Sequence, residues 1–187
     1  TCPHYLTLSH ENQNGYLAKV MPPIRSNSDV ASVWSAIGKN QIDTIGTDHV
    51  ANQLKLKLGG DDVWDALAGF PGIGTSLPIL LSEGVNKERI NLNQLVRLTS
   101  TNASKIFGLK SKGNLDIGFD ADITMIDLKK EAKVSTSLFG GFSDYLVYDG
   151  WNLKGWPVKT IVRGNLVADD FHVVGKPGFG KFVSRSS

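Results

Sequence analysis

The residues best placed to do chemistry are Asp48 and His49, at the end of Ile42-Asp43-Thr44-Ile45-Gly46-Thr47-Asp48-His49. A carboxylate can ligate a metal or carry a proton, and an imidazole beside it can do either or orient its neighbour. The run before them is short, apolar and β-branched, the pattern of a buried strand. In parallel α/β sheets and barrels, ligands meet the carboxyl ends of strands. The competing reading is plainer: an Asp that caps the turn after the strand, with an ordinary His beside it. Other candidates are weaker. His4 follows Cys2-Pro3, a ligand-like grouping, but Cys2 has no base or second Cys at motif spacing and reads as inert. His10 and Glu11 fall in a polar stretch and read as solvated, and His172 reads as a surface residue.

The elements around Asp48 follow from pattern. Tyr5 to Leu8 reads as a strand leaving a sheet, and Asn14-Gly15 as a turn. Pro22 and Pro23 stiffen the segment from Val20 to Arg25, which can present main-chain groups to a ligand or serve only as a connector. Ser28 reads as an N-cap for a helix with Val30, Val33, Trp34 and Ile37 on one face, ended by Gly38. Strand, helix, strand is the order of a parallel α/β unit. From Asp48 to Gly74 the pattern is irregular, with Trp64 and Phe70 suited to wall a pocket or to pack on the domain. Thr75 reads as the cap of a helix with Pro78 in its first turn, Asn91 starts a second, and Asn102 starts a third. From Lys112 the chain turns to glycine-rich turns and short strands. Asp122 to Leu128 alternates with Ile123 and Met125 inward, and a tight hairpin surrounds Arg163-Gly164-Asn165.

Composition excludes several classes. The 187 residues carry a net charge of +2, too small to call for a nucleic acid or an anionic membrane surface, and no aromatic–basic interleaving marks a nucleic-acid face. No apolar run is long enough to span a bilayer. The single Cys2 excludes an internal disulfide framework and fits a reducing compartment, so a cytoplasmic location is expected. The chain opens on Thr1 in the middle of what reads as a strand, which suggests the carboxyl-terminal piece of a longer protein.

Five motifs in series point further. Thr1-Cys2-Pro3-His4-Tyr5-Leu6, Met21-Pro22-Pro23-Ile24-Arg25, Gly46-Thr47-Asp48-His49, Asn102 to Leu109, and Lys112-Gly113 through Gly118-Phe119-Asp120-Ala121-Asp122 resemble the cyclic amidohydrolases. That family includes hydantoinase, dihydropyrimidinase, dihydroorotase and allantoinase. The tail from Arg163-Gly164-Asn165 to Gly180 is most similar to the hydantoinase and dihydropyrimidinase branch.

The resemblance implies an α/β chain: the carboxyl-terminal part of a (β/α)8 TIM barrel over residues 1–110, part of a small β-sandwich domain over 111–170, and a glycine-rich docking tail over 171–187. It implies two zinc ions, with Asp48 the family's last ligand and the other ligands upstream. Two metals lower the pKa of a water and polarise the carbonyl. A ligating carboxylate can take that water's proton and deliver it to the leaving nitrogen, so Asp48 is assigned both the metal and the catalytic role. His49 supports it without touching metal, and His4 packs. Met21, where the branch usually has Ser, and Ala68, where it has Asn, are expected to face the substrate through main chain. Asn52 stands where dihydroorotases have a carboxylate-binding His, and a neutral amide pairs less well with a carboxylate. The expected substrate is a small cyclic amide or ureide, handled by a homo-oligomer, with no nucleic acid or membrane partner. Dihydroorotase and allantoinase activity are the alternatives, and a metal-free scaffold of the same fold is a further one. These 187 residues alone are expected to be inactive.

Overall fold

In a computed structural model, residues 1–12 and 15–185 are described; Asn14, half of the expected turn, lies outside them. The order is helix α1 (Pro3–Thr7), a 3₁₀ turn (Gly15–Ala18), α2 (Asn27–Gly38), α3 (Leu54–Leu58), α4 (Ile73–Ile79), α5 (Leu92–Val96), α6 (Asn102–Ile106), then strands β1 (Ile123–Lys133), β2 (Asn152–Val162), β3 (Asn165–Asp169) and β4 (His172–Val173). The strands form one open antiparallel sheet in the order β1-β2-β3-β4. The described residues are an α/β arrangement and do not close a barrel. None of their helices is long and apolar enough to cross a membrane.

Two expected strands change character. Tyr5 to Leu8 is not a strand: Pro3 sits in the first turn of α1, where its missing N–H costs nothing, and the Leu8 N–H closes the helix on the His4 carbonyl. The run from Ile42 to Thr47 is extended but is not part of a ladder. It makes a single parallel rung, with the Thr1 amino group donating to the Thr44 carbonyl at 2.9 Å and the Gly46 N–H to the Thr1 carbonyl at 2.9 Å. On its other edge the Ile45 N–H donates to the Leu98 carbonyl, and the Asn102 amide donates to the Asp43 carbonyl. No described strand lies alongside to extend the pairing.

The helices follow their caps. Ser26, not Ser28, caps α2, because Asp29 three residues on completes a capping box. Asn91 and Gln94 form the same box at α5. α6 begins at Asn102 as expected, and a π-type turn (Arg97–Thr101) joins it to α5 without a break. α4 begins at Ile73 on Gly72, so Pro78 lies beyond its first turn, and α4 continues as a π-type turn (Leu80–Val85). The irregular stretch after Asp48 is interrupted by α3.

One core cluster gathers Leu6, Trp34, Ile37, Ile45, Leu80, Leu81, Leu95 and Leu98, and so packs α1, α2, α4 and α5 around the extended run. The other joins Leu8, Val20, Phe70 and Ile79 to Val134, Tyr145, Tyr148, Leu153 and Trp156, and seats the sheet on α4. In β1, Met125 faces outward, 47% exposed, while Ile126 and Leu128 pack inward. The register shifts between Met125 and Ile126, and one displaced residue moves every later side chain to the other face. The hairpin is as expected, with Arg163 and Gly164 both at positive φ, 46° and 77°.

Candidate active site

Asp48 leaves the extended run at φ 49°, a left-handed turn that Asp tolerates better than most residues. The turn puts its carboxylate at the surface, with no hydrogen-bond or ion-pair partner among the described residues. It lies near enough to Cys2, His4 and Tyr5 to bias their proton affinity. Burial lowers His4 to about 4 against the pull of Asp48, so the ring is neutral at pH 7. His4 packs edge-on to Tyr5 and Phe70, and its Nε2 has no partner among the described residues. Cys2 is partly buried, which pushes its thiol up and leaves it a poor nucleophile.

His49 fixes the backbone beside Asp48. Its Nδ1 accepts from the Gly72 N–H at 3.1 Å and the Ile73 N–H at 3.3 Å, so the ring proton belongs on Nε2. The Val50 N–H donates to the Phe70 carbonyl at 3.1 Å. The segment 48–50 therefore runs along 70–73, and the loop just before Phe70 carries Ala68.

That loop is joined to the one carrying Met21. The Gly69 N–H donates to the Lys19 carbonyl at 2.9 Å, and the Lys19 ammonium bonds the Val63 carbonyl at 2.7 Å. Tyr5 holds the other side, its hydroxyl donating to the Pro22 carbonyl at 2.6 Å next to a cis Met21–Pro22 peptide. Both Ala68 and Met21 are exposed, and their own main-chain groups have no partner among the described residues. Free backbone donors and acceptors are available to a ligand. Trp64 walls an open groove of about 730 Å³ beside Met21, whereas Phe70 is buried in the core.

Asn52 is turned elsewhere. It is buried, its Oδ1 accepts from the Tyr145 hydroxyl at 2.5 Å, and its Nδ2 has no partner among the described residues. Sequence reasoning passed over Tyr5 and Lys57. Lys57 is fully buried, and its ammonium donates to the carbonyls of Lys19, Leu67 and Gly69. No pattern marks it, because Leu54-Lys55-Leu56-Lys57-Leu58 offers two similar lysines. Among the described residues no three His, Cys, Asp or Glu side chains gather to hold a metal ion. Asp48 can offer one anionic oxygen ligand, and its exposed carboxylate, unpartnered among the described residues, suits that use.

The amidohydrolase family model matches residues 9–167. The chain belongs to that family. It is 39% identical over 187 residues to the L-hydantoinase of Paenarthrobacter aurescens, covering 98% of this chain and 41% of that protein. A dihydroorotase of a Geobacter species is 40% identical over 169 residues, covering 89% of this chain and 39% of its own length. Among solved structures, the L-hydantoinase (dihydropyrimidinase) of Arthrobacter aurescens superposes with a TM-score of 0.95 at 39% identity, over 99% of this chain and 42% of that one. The chain thus spans about two fifths of the length of the relatives it matches. Within the amidohydrolases, its close relatives are the hydantoinase and dihydropyrimidinase branch together with dihydroorotases.

Proposed function

We propose that this chain is the carboxyl-terminal part of a zinc-dependent hydrolase that opens a cyclic amide or ureide ring of the hydantoin or dihydropyrimidine type. The observation that carries the reading is the Asp48 carboxylate, without a hydrogen-bond or ion-pair partner among the described residues and exposed at the end of an extended run inside a family match. Asp48 would hold metal through a carboxylate oxygen. Two zinc ions, when bound, would supply an activated water and a polarised carbonyl. Asp48 takes the proton from the attacking water and returns it to the ring nitrogen that leaves. His49 keeps the Asp48 turn in place by anchoring it to Gly72 and Ile73. The main-chain groups of Met21 and Ala68, without partners among the described residues, bind the ring's amide edge.

In this reading residues 1–110 complete a TIM barrel, 111–170 a β-sandwich, and 171–187 a docking tail in a cytoplasmic homo-oligomer. The tail's support is local: Arg163 donates to the Phe179 carbonyl and lies 4.4 Å over the Phe179 ring. The other ligands would come from residues outside this chain, so the 187 residues alone would be inactive.

A second reading, dihydroorotase, rests on the 40% identity to the Geobacter enzyme. Asn52 weighs against it, because a buried neutral amide engaged by Tyr145 offers no cation to a substrate carboxylate. The full-length protein should be purified with its metal and offered hydantoin, dihydrouracil and dihydroorotate. Ring opening of either of the first two, abolished by chelation, is expected. Turnover of dihydroorotate alone would transfer the assignment to the second reading. Absence of both turnover and zinc would point to a scaffold.

A further inference from the structure

We infer that Lys57 is a positioning residue, whose buried ammonium gathers the two loops that carry Met21 and Ala68 into one rigid substrate-facing edge. The assignment of that edge to substrate rests on the function proposed above; the tether itself rests on geometry alone.

The Lys57 Nζ donates to the Lys19 carbonyl at 2.8 Å, the Leu67 carbonyl at 2.6 Å and the Gly69 carbonyl at 2.9 Å. An ammonium has three donors, and all three are used. Two acceptors flank Ala68 and the third lies two residues before Met21. None belongs to α3, the helix that carries Lys57. The backbone closes the same ring, with the Leu67 N–H donating to the Lys57 carbonyl and the Gly69 N–H to the Lys19 carbonyl, each at 2.9 Å.

The choice of residue is informative. Lys57 is fully buried and forms no ion pair among the described residues. Burying an unpaired charge is costly unless hydrogen bonds replace its water. A Leu or Met would fill the space more cheaply but would leave the Leu67 and Gly69 carbonyls without this donor. Carbonyls from separate loops repel one another when crowded, and a cation at their centre reverses that. Burial, with the Lys19 ammonium adding to it, lowers Lys57 to about 8, so the group remains charged at neutral pH.

The test uses the full-length zinc-loaded protein with Lys57→Met and Lys57→Gln. Three quantities are read: kcat and KM on hydantoin or dihydrouracil, bound zinc, and amide hydrogen exchange. In Lys57→Met, KM should rise about tenfold while kcat stays within about threefold, the pattern of lost substrate binding. Exchange should accelerate about tenfold or more in residues 66–70, with zinc content and exchange around Leu81 unchanged. Lys57→Gln, which keeps a neutral donor, should recover part of the KM effect and carries the test if the Met variant does not fold. An unchanged KM with unchanged loop exchange overturns the proposal. So does a parallel loss of KM, kcat, zinc and core protection, which would mark a general packing role. If the parent protein opens no cyclic amide, the proposed function fails. In that case accelerated exchange confined to 66–70 with zinc retained still supports the tether, and unchanged exchange still refutes it.

Discussion

Gly69 is where one added methyl group should most disturb the candidate substrate edge. It sits at φ +88°, a conformation that L side chains rarely adopt, and an added Cβ would lie 2.4 Å from Val50 Cγ2 and 3.0 Å from Val50 Cβ. The first contact could be relieved by rotating Val50, but the second could not, because Cβ does not move with χ1. The Val50 backbone is itself held by its bond to the Phe70 carbonyl. Backbone strain of this kind costs about 1–3 kcal/mol. Forced overpacking adds about 1–3 kcal/mol. Gly69→Ala should therefore destabilise by about 2–6 kcal/mol, or else displace the loop and weaken substrate binding. Adding Val50→Gly removes the clash and leaves the strain, so the pair should show a favourable coupling of at least about 1 kcal/mol. The assay is chemical denaturation of the full-length protein and its three variants, with kcat/KM measured on each. A cost below about 1 kcal/mol for Gly69→Ala with kcat/KM unchanged, or no coupling to Val50, would refute the reasoning.

Two further outcomes follow from buried or paired polar groups. Tyr145→Phe should cost about 1–3 kcal/mol in denaturation midpoints, because it strips Asn52 Oδ1 of its donor inside the core. The same change in an Asn52→Leu background should cost far less, and equal costs would contradict the pairing. Lys112 lies 2.9 Å from Asp120 and also bonds Asp122. Its bond, then that of Ser111, holds Asp120 below the usual carboxylate range. Burial alone would raise Asp122, but the Lys112 bond and the Arg163 N–H bring it lower as well. Depressed carboxylates stabilise the fold above their unfolded value of 3.8, and that contribution is lost as pH falls through the folded values. Lys112→Met should therefore reduce the loss of stability on acidification below pH 4, measured as the difference between wild type and variant; identical acid profiles would contradict this.

The parts of the fold governed by local chemistry were legible. Arg163-Gly164 could only make a tight hairpin, and Asn91 capped the helix expected of it. The Asp48-His49 pair stands where the chain leaves its extended run. Failures came where distant or near-equal choices decide. Tyr5 to Leu8 looked like a strand because its apolar content fits either structure, and Pro3 settled the matter in favour of helix. Ser28 is a good capping residue, but Ser26 caps α2, because Asp29 stands three residues after Ser26 and closes the box. Met125 and Ile126 exchanged faces at a register shift made by the partner strand. Lys57 could not be told from Lys55, since its three acceptors lie 10 to 38 residues away and belong to loops with no periodicity. The same holds for Asn52, whose orientation is set by Tyr145, 93 residues on.

The central claim is that Asp48 carries the proton in ring opening, and Asp48→Asn in the full-length protein tests it most directly. The amide keeps the size of the side chain but can neither take a proton from water nor offer an anionic ligand. With zinc content measured alongside, kcat on the preferred cyclic amide should fall about 10²–10⁴-fold, the range expected for loss of a general base. Ring opening at the wild-type rate by this variant would contradict the account.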